Sequence, residues 1–447
     1  MLEKFKNNYW IVSGTLNFLQ NFSGVLFGFG SFFFLVRILS KNDFGVWTLF
    51  MSTTTILSVF RDGLLRSATI KFLASTNDKE EKGKIISSSF LLAIFITLIV
   101  LCLLLFLSDE LASIFNAAEL SYMLKIYALV FISNGLLMLF NFIEQANLKF
   151  KGVFLTNLIT QGVFFAYILY CFFFHKSIGL TTLVMVQFVC SVLATILSYS
   201  LVKQYLYLSF QIFRNHLKSI FNYGKYAFGT SLSAILSNTV DQMMLGSMIN
   251  PAAAAVYNIA VRILNLIEIP TGAVATIVFP QSSKRVETEG LVAVKYLYEK
   301  SVGTVLAILL PPLILIYCFT DLVIFLLAGE QYADSANLLR ITLLIAIFMP
   351  FGRQFGVILD SIGKTKTTFY TVVVTTTLNL SLNYFLIKEI GVIGAAYATL
   401  IAMFLSFIWA QVLLRKILKV SLLKCFYYAY KFYPDFYKQY IKSYFSK

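Results

Sequence analysis

Apolar residues fill this chain in long unbroken runs, and polar residues collect in the short gaps between them. A helix that crosses a membrane needs about 20 mostly apolar residues. That window gives twelve candidates, at residues 10-36, 44-70, 85-107, 121-142, 153-174, 179-202, 220-248, 253-280, 301-319, 334-358, 367-387 and 391-414. The runs lack the ten-residue alternation of a transmembrane barrel, so an all-α polytopic membrane protein is the expected fold class. No gap is long enough to hold a folded domain outside the membrane. The first run exceeds the apolar core of a signal peptide, about 7–15 residues, and is expected to remain as helix one.

Composition agrees with this pattern and narrows it. Of 447 residues, 59% are hydrophobic and 13% charged, with a net charge of +15 and a mean hydropathy of +0.80. Soluble proteins have about a quarter of their residues charged, so a soluble enzyme is excluded. A nucleic-acid binder needs a basic stripe on polar surface, which these runs do not leave. The basic residues report orientation instead: 25 fall on the side of the two termini and five on the other. Lys and Arg favour cytoplasmic loops, so both termini are expected in the cytoplasm.

The halves resemble each other. At an offset of 210, Gly14 meets Gly224, Ser23 meets Ser233, Val46 meets Val256, and the turn Ser40-Lys41-Asn42-Asp43 meets Asn250-Pro251-Ala252-Ala253. At an offset of 212, Lys176-Ser177-Ile178-Gly179 meets Lys388-Glu389-Ile390-Gly391. Six spans per half imply a parallel repeat. The expected layout is an N-terminal six-helix lobe at 1-202, a cytoplasmic inter-lobe loop at 203-219 acting as hinge, a C-terminal six-helix lobe at 220-415, and a tail at 416-447. The tail holds seven Lys against one Asp among many Phe and Tyr, and reads as an interfacial segment on anionic lipid.

Ionisable groups inside the spans are costly and mark functional positions. They are Arg61, Asp62, Arg66, Lys225, Asp241, Arg262, Glu268, Arg340 and Arg353. Lys225, Arg340 and Arg353 lie near span ends, where snorkelling also accounts for them. Arg61 and Arg262 are too deep for that. Asp62 and Arg66 are four apart and expected to pair, leaving Arg61 unpaired. Guanidinium groups match phosphate oxygens in pairs, so Arg61, Arg66 and Arg262, with Lys225 and Arg353, form the candidate diphosphate set. Asn17, Gln20 and Asn21 of span one and Asn238 and Asp241 of span seven read either as cavity wall or as interhelical hydrogen bonding. Asp62, Asp241 and Glu268 are the candidate coupling groups for H⁺ or Na⁺. No cofactor, metal or catalytic cluster is expected: the cysteines have no paired spacing, His175 and His216 are isolated, and Gly363-Lys364-Thr365 has Ile358 where a phosphate loop needs glycine.

Leu35-Val36-Arg37-Ile38-Leu39, Asp43-Phe44-Gly45-Val46-Trp47 and Asp62-Gly63-Leu64 are followed in the second half by Asp241-Gln242-Met243-Met244-Leu245-Gly246 and Tyr257-Asn258-Ile259-Ala260. After these come Phe279-Pro280, Gly363-Lys364, Asn379 and Gly391-Val392-Ile393-Gly394-Ala395-Ala396. In order and spacing the chain resembles bacterial polysaccharide flippases of the Wzx type, in the superfamily that also holds lipid II flippases and multidrug and toxin extrusion (MATE) antiporters. The resemblance covers nearly the whole chain. It implies a V-shaped pair of lobes with spans one, two, seven and eight lining a cavity. The implied activity is alternating-access transfer of an undecaprenyl-diphosphate-linked oligosaccharide to the outer leaflet, for O-antigen, capsule or exopolysaccharide synthesis. It further implies a non-enzymatic monomer of the bacterial plasma membrane, with a polysaccharide polymerase as a candidate partner. Lipid II flippases are similar in placing arginines on spans two and eight, matched by Arg61 and Arg262, but they also carry one inside span one. Here that span has none before Arg37, which favours another glycan. The rival readings are a multidrug antiporter, which cavity arginines disfavour, and a membrane polymerase or ligase, which would need a larger outer loop.

Overall fold

A computed structural model describes residues 9–207, 209 and 213–437, with the side chains of all these except 9–15, 17 and 18. Among the described residues there are fourteen α-helices and no strand. They are α1 (Tyr9–Ile38), α2 (Lys41–Ala74), α3 (Lys79–Ile114), α4 (Ala118–Ala146), α5 (Lys151–Phe173), α6 (Leu180–Val202) and α7 (Arg214–Met248). Then follow α8 (Pro251–Thr288), α9 (Leu291–Cys318), α10 (Thr320–Ala328), α11 (Ser335–Ser361), α12 (Thr365–Ile390), α13 (Val392–Leu418) and α14 (Leu422–Phe436). Eleven are long and apolar enough to cross a membrane. The exception to the twelve expected spans is α7, which has 35 residues but carries Lys225, Asp241 and many Ser, Thr and Asn. The short α10 lies where a loop was expected.

Local signals set the helix ends. Ser40 Oγ accepts the Asp43 amide at 3.1 Å and starts α2, and Asp78 accepts the Glu80 and Glu81 amides at 3.2 and 3.4 Å to start α3, as side-chain oxygens do for the orphan donors of a first turn. Between α12 and α13 the chain reverses at Gly391, whose φ of +66° is costly for other residues.

The chain divides into two compact units. Unit 1 is Met1–Thr239 with Asn250–Ala255, and unit 2 is Val240–Ile249 with Val256–Lys447. The division differs from the expected lobes because the first part of α7 packs on α2. There Gly224 sits directly on the Leu64 carbonyl, where a Cβ would collide, and a Cβ on Gly63 would meet Phe228 and Ser231 at 3.5 Å. Tyr223 covers the Lys71 ammonium at 4.1 Å. The core of unit 1 joins Leu65 and Ala68 of α2, Ile86 of α3, Leu139 and Ile143 of α4, Val202 of α6 and Ile220 of α7.

The inter-lobe segment is also more than a loose hinge. Its Ser209 amide donates to Ser87 Oγ of α3 at 2.8 Å, Tyr207 lies against Gly83, and His216 Nε2 meets Glu81 Oε1 at 2.7 Å. The described residues of the segment are thus fastened to α3 over about two turns.

Unit 2 has its core among α9, α11, α13 and α14, with Tyr298, Val302, Phe351, Ile358, Leu414, Cys425 and Ala429 in contact. The tail expected to lie on a lipid surface is, over Leu422–Phe436, a helix running lengthwise on α9. The Ser421 amide donates to Glu299 Oε1 at 2.8 Å, Cys425, Tyr428 and Ala429 close on Gly303, and Tyr433 Oη donates to the Ala307 carbonyl at 2.6 Å. The partners rise together over eight residues of α9, about 12 Å, so the two helices are parallel. A segment lying flat across the spans would touch a single turn.

Candidate functional site

In unit 1 the deep charge is Arg61. It is 1% exposed, and its guanidinium turns into the unit toward α4. Nη1 donates to the Phe131 carbonyl at 2.7 Å, Nε donates to Asp62 Oδ1 at 3.0 Å, and the group lies 4.1 Å from the Phe131 ring centroid. Gly135 makes the space: a Cβ there would stand 2.7 Å from Nη1. This corrects the expected pairing, since Asp62 pairs with its neighbour Arg61. Adjacent residues normally point apart on a helix, but the long guanidinium curls back past the short carboxylate on its way to α4. Arg61 is therefore a buried, hydrogen-bonded cation with little surface to offer a ligand.

Arg66, one turn further along α2, is exposed, as is Lys225, whose Nζ donates to Asn222 Oδ1 at 3.3 Å. On α1, Asn17 lies outside the described side chains, Gln20 is half-buried, and Asn21 is exposed. Asn238 of α7 is exposed.

In unit 2 the deep charge is Asp241, 7% exposed. Three neutral donors surround its carboxylate. Tyr257 Oη donates to Oδ2 at 2.7 Å, Thr399 Oγ1 donates to Oδ2 at 2.7 Å, and Asn383 Nδ2 donates to Oδ1 at 2.7 Å. Asn379 supports the ring from behind, donating to Thr399 Oγ1 at 3.1 Å. The Asn383 amide oxygen is buried without a hydrogen-bond partner. Beside the ring, Asn258 Nδ2 donates to Gln242 Oε1 at 2.9 Å. Four helices, α7, α8, α12 and α13, thus converge on one carboxylate, which is faced by the hydroxyls of Tyr257 and Thr399 and the amide nitrogen of Asn383. A buried carboxylate faced only by neutral donors is a group that can take up a proton.

Part of this ring was readable from the chain. Asp241 with Tyr257, and Gln242 with Asn258, are each 16 residues apart across the turn at Asn250, so a helical hairpin sets each pair at equal depth. Asn379 and Asn383 stand four apart in an apolar helix, one face of α12. Sequence reasoning singled out Asp241 as a site residue but not Tyr257, Asn379, Asn383 or Thr399, the last two coming from 142 and 158 residues away.

The remaining candidates are dispersed in unit 2. Arg262 and Glu268 of α8 are half-buried, and Arg353 of α11 is exposed. Arg340 does not snorkel alone: it donates to Asp321 Oδ2 at 2.6 Å and to Asn337 Oδ1 at 2.9 Å.

A buried, specifically partnered ionisable group in each of two helical units marks a functional position by its cost alone. The profile of the family described as polysaccharide biosynthesis protein matches residues 34–337, and the chain belongs to that family. Among its relatives, an uncharacterized membrane protein of Methanocaldococcus jannaschii is 28% identical over 207 residues, 46% of this chain and 41% of that protein. The chain therefore spans under half of that relative's length. A Haloferax volcanii protein named a probable low-salt glycan biosynthesis flippase is 23% identical over 387 residues, 86% of this chain and 78% of that one.

The fold is that of two kinds of solved transporter. The lipid II flippase MurJ in an inward closed conformation superposes with a TM-score of 0.75 at 16% identity, covering 94% of this chain and 90% of that one. An inward-facing multidrug resistance MATE transporter gives 0.73 at 17% identity, covering 89% and 96%.

Proposed function

We propose that this protein is a flippase that moves an undecaprenyl-diphosphate-linked oligosaccharide from the cytoplasmic to the outer leaflet by alternating access, for synthesis of a surface polysaccharide. The observation that carries the reading is membership of the polysaccharide biosynthesis family, on a fold that lipid II flippases also use. The exposed cations Arg66, Lys225 and Arg353, with the half-buried Arg262, are the groups that meet the diphosphate as it crosses. Arg61 acts at one remove by holding α2 on α4. Outward movement of about two negative charges is favoured by ~2.3 kcal/mol per charge per 100 mV when the inside is negative. Asp241 is the coupling group: a carboxylate with only neutral donors around it gains most from a bound H⁺ or Na⁺.

Cells that depend on this protein for surface glycan test the proposal. Arg262→Ala combined with Arg66→Ala is expected to stop glycan export while the protein stays folded in the membrane. Normal export by the double variant would remove the diphosphate role from these residues.

A further inference from the structure

Apart from the Asp241 ring of unit 2, a carboxylate is buried in unit 1. Glu144, in the last turn of α4, is 3% exposed. Its carboxylate is pressed against Gly152 in the first turn of α5, where a Cβ would collide with both oxygens. The Val153 amide donates to it, and Oε2 is buried with no hydrogen-bond partner. The group closes the α4–α5 turn, which is held by the Lys149 amide donating to the Glu144 carbonyl at 2.9 Å and by Leu148 at a φ of +58°.

Charged groups lie around this end of the unit. From α2 comes Lys71, over the Tyr223 ring at 4.1 Å. From α3 come Lys82, donating to Asn147 Oδ1 at 3.5 Å, and Lys84, which pairs with Glu80 and Glu81. Lys149, Lys151 and Lys203, on the turn, α5 and the end of α6, are exposed. Among the described residues none forms an ion pair with Glu144. One helix-terminus amide offsets part of a charge, about half at most. A buried carboxylate oxygen with no donor is far costlier as an anion than as a neutral acid.

We propose that Glu144 is a proton-binding site of unit 1, separate from the Asp241 ring. When the α4–α5 turn opens, Oε2 takes a proton from water on the side the charge bias assigns to the cytoplasm. When the turn closes over Gly152, the neutral acid is held out of solvent. Any contribution of this proton to transport rests on the flippase reading, whereas proton binding itself does not.

Infrared difference spectroscopy of the full chain in lipid provides the test. At pH 7 the wild type is expected to show a protonated-carboxyl band that Glu144→Gln removes and Asp241→Asn keeps. Identical spectra for the wild type and Glu144→Gln in this region would overturn the proposal. If Glu144→Gln fails to fold, Gly152→Ala serves instead, because its methyl displaces the carboxyl toward water. The half-protonation point of the band should then fall by one pH unit or more, and an unchanged titration would again overturn the proposal. The readout needs no substrate, so its failure and failure of the flippase reading are separable.

Discussion

The two units bury opposite charges and compensate them in different ways. In unit 1, Arg61 is answered by a full countercharge on Asp62 and by the Phe131 carbonyl. In unit 2, Asp241 has three hydrogen bonds, all from neutral groups. The first arrangement is electrically closed, and breaking it would strand a charge in the apolar interior. The second leaves the carboxylate facing neutral donors alone, with no countercharge among its hydrogen-bond partners. One unit thus holds a braced cation and the other a carboxylate with no countercharge. The prolines nearly follow the same division: six of the seven lie in unit 2, five of them inside α8, α9 and α11, and only Pro251 belongs to unit 1. Each removes a helix hydrogen bond and favours bending, so unit 2 has the more deformable helices.

The largest effect that would break this contrast comes from unit 1. Asp62→Ala leaves Arg61 buried and unpaired, and stability should fall by about 3–5 kcal/mol. Thermal unfolding in detergent measures it. Adding Arg61→Met should restore most of the loss, because an apolar side chain of similar length needs no countercharge. If Asp62→Ala is harmless, the brace is not closed in the way described.

The transport counterpart comes next. Asp241→Asn keeps an acceptor for Tyr257 and Thr399 but removes the charge, so the protein should stay folded while flipping falls by roughly 100-fold, the equivalent of about 2.7 kcal/mol. A counterflow assay in vesicles reads this directly. Flipping at the wild-type rate would make the Asp241 ring as purely architectural as Arg61.

Gly135→Ala refines the unit 1 half of the comparison. Its methyl enters the space of the Arg61 guanidinium and should cost about 1–3 kcal/mol, in the range of other overpacked interiors, in the same unfolding assay. The smallest effect concerns α14. Burial, with Glu299 close by, pushes the Cys425 thiol up to about 12, some three units above its usual value. Its thiolate fraction at pH 8 is then about a thousandfold below that of a free cysteine, and maleimide should label it very slowly. Gly303→Val, which forces α14 off α9, should accelerate that labelling. Equal rates in the two proteins would mean that α14 does not stay docked.

The chain announces these features unevenly. Span length and the depth of Arg61 and Asp241 follow from local apolar runs, so the helical architecture and these two buried groups were readable in advance. Which neighbour Asp62 pairs with depends on a side-chain path toward α4, and helical spacing alone favoured Arg66. Asn383 and Thr399 belong to the ring only because α12 and α13 fold back onto α7, a contact that no local period encodes. For α14, the small residues Cys425 and Ala429 at four-residue spacing carried the packing signal, beneath a basic and aromatic composition that pointed to a lipid surface.

The central claim is tested most directly with purified protein in sealed vesicles that hold an undecaprenyl-diphosphate-linked oligosaccharide in one leaflet, with accessibility of the sugar followed from the other side. The account predicts that the wild type transfers the glycan, and that Asp241→Asn and the Arg66→Ala, Arg262→Ala double variant do not. Vesicles in which the wild type leaves the glycan in place but exchanges an organic cation for H⁺ or Na⁺ would contradict it, and would identify the protein as a cation antiporter built on the same fold.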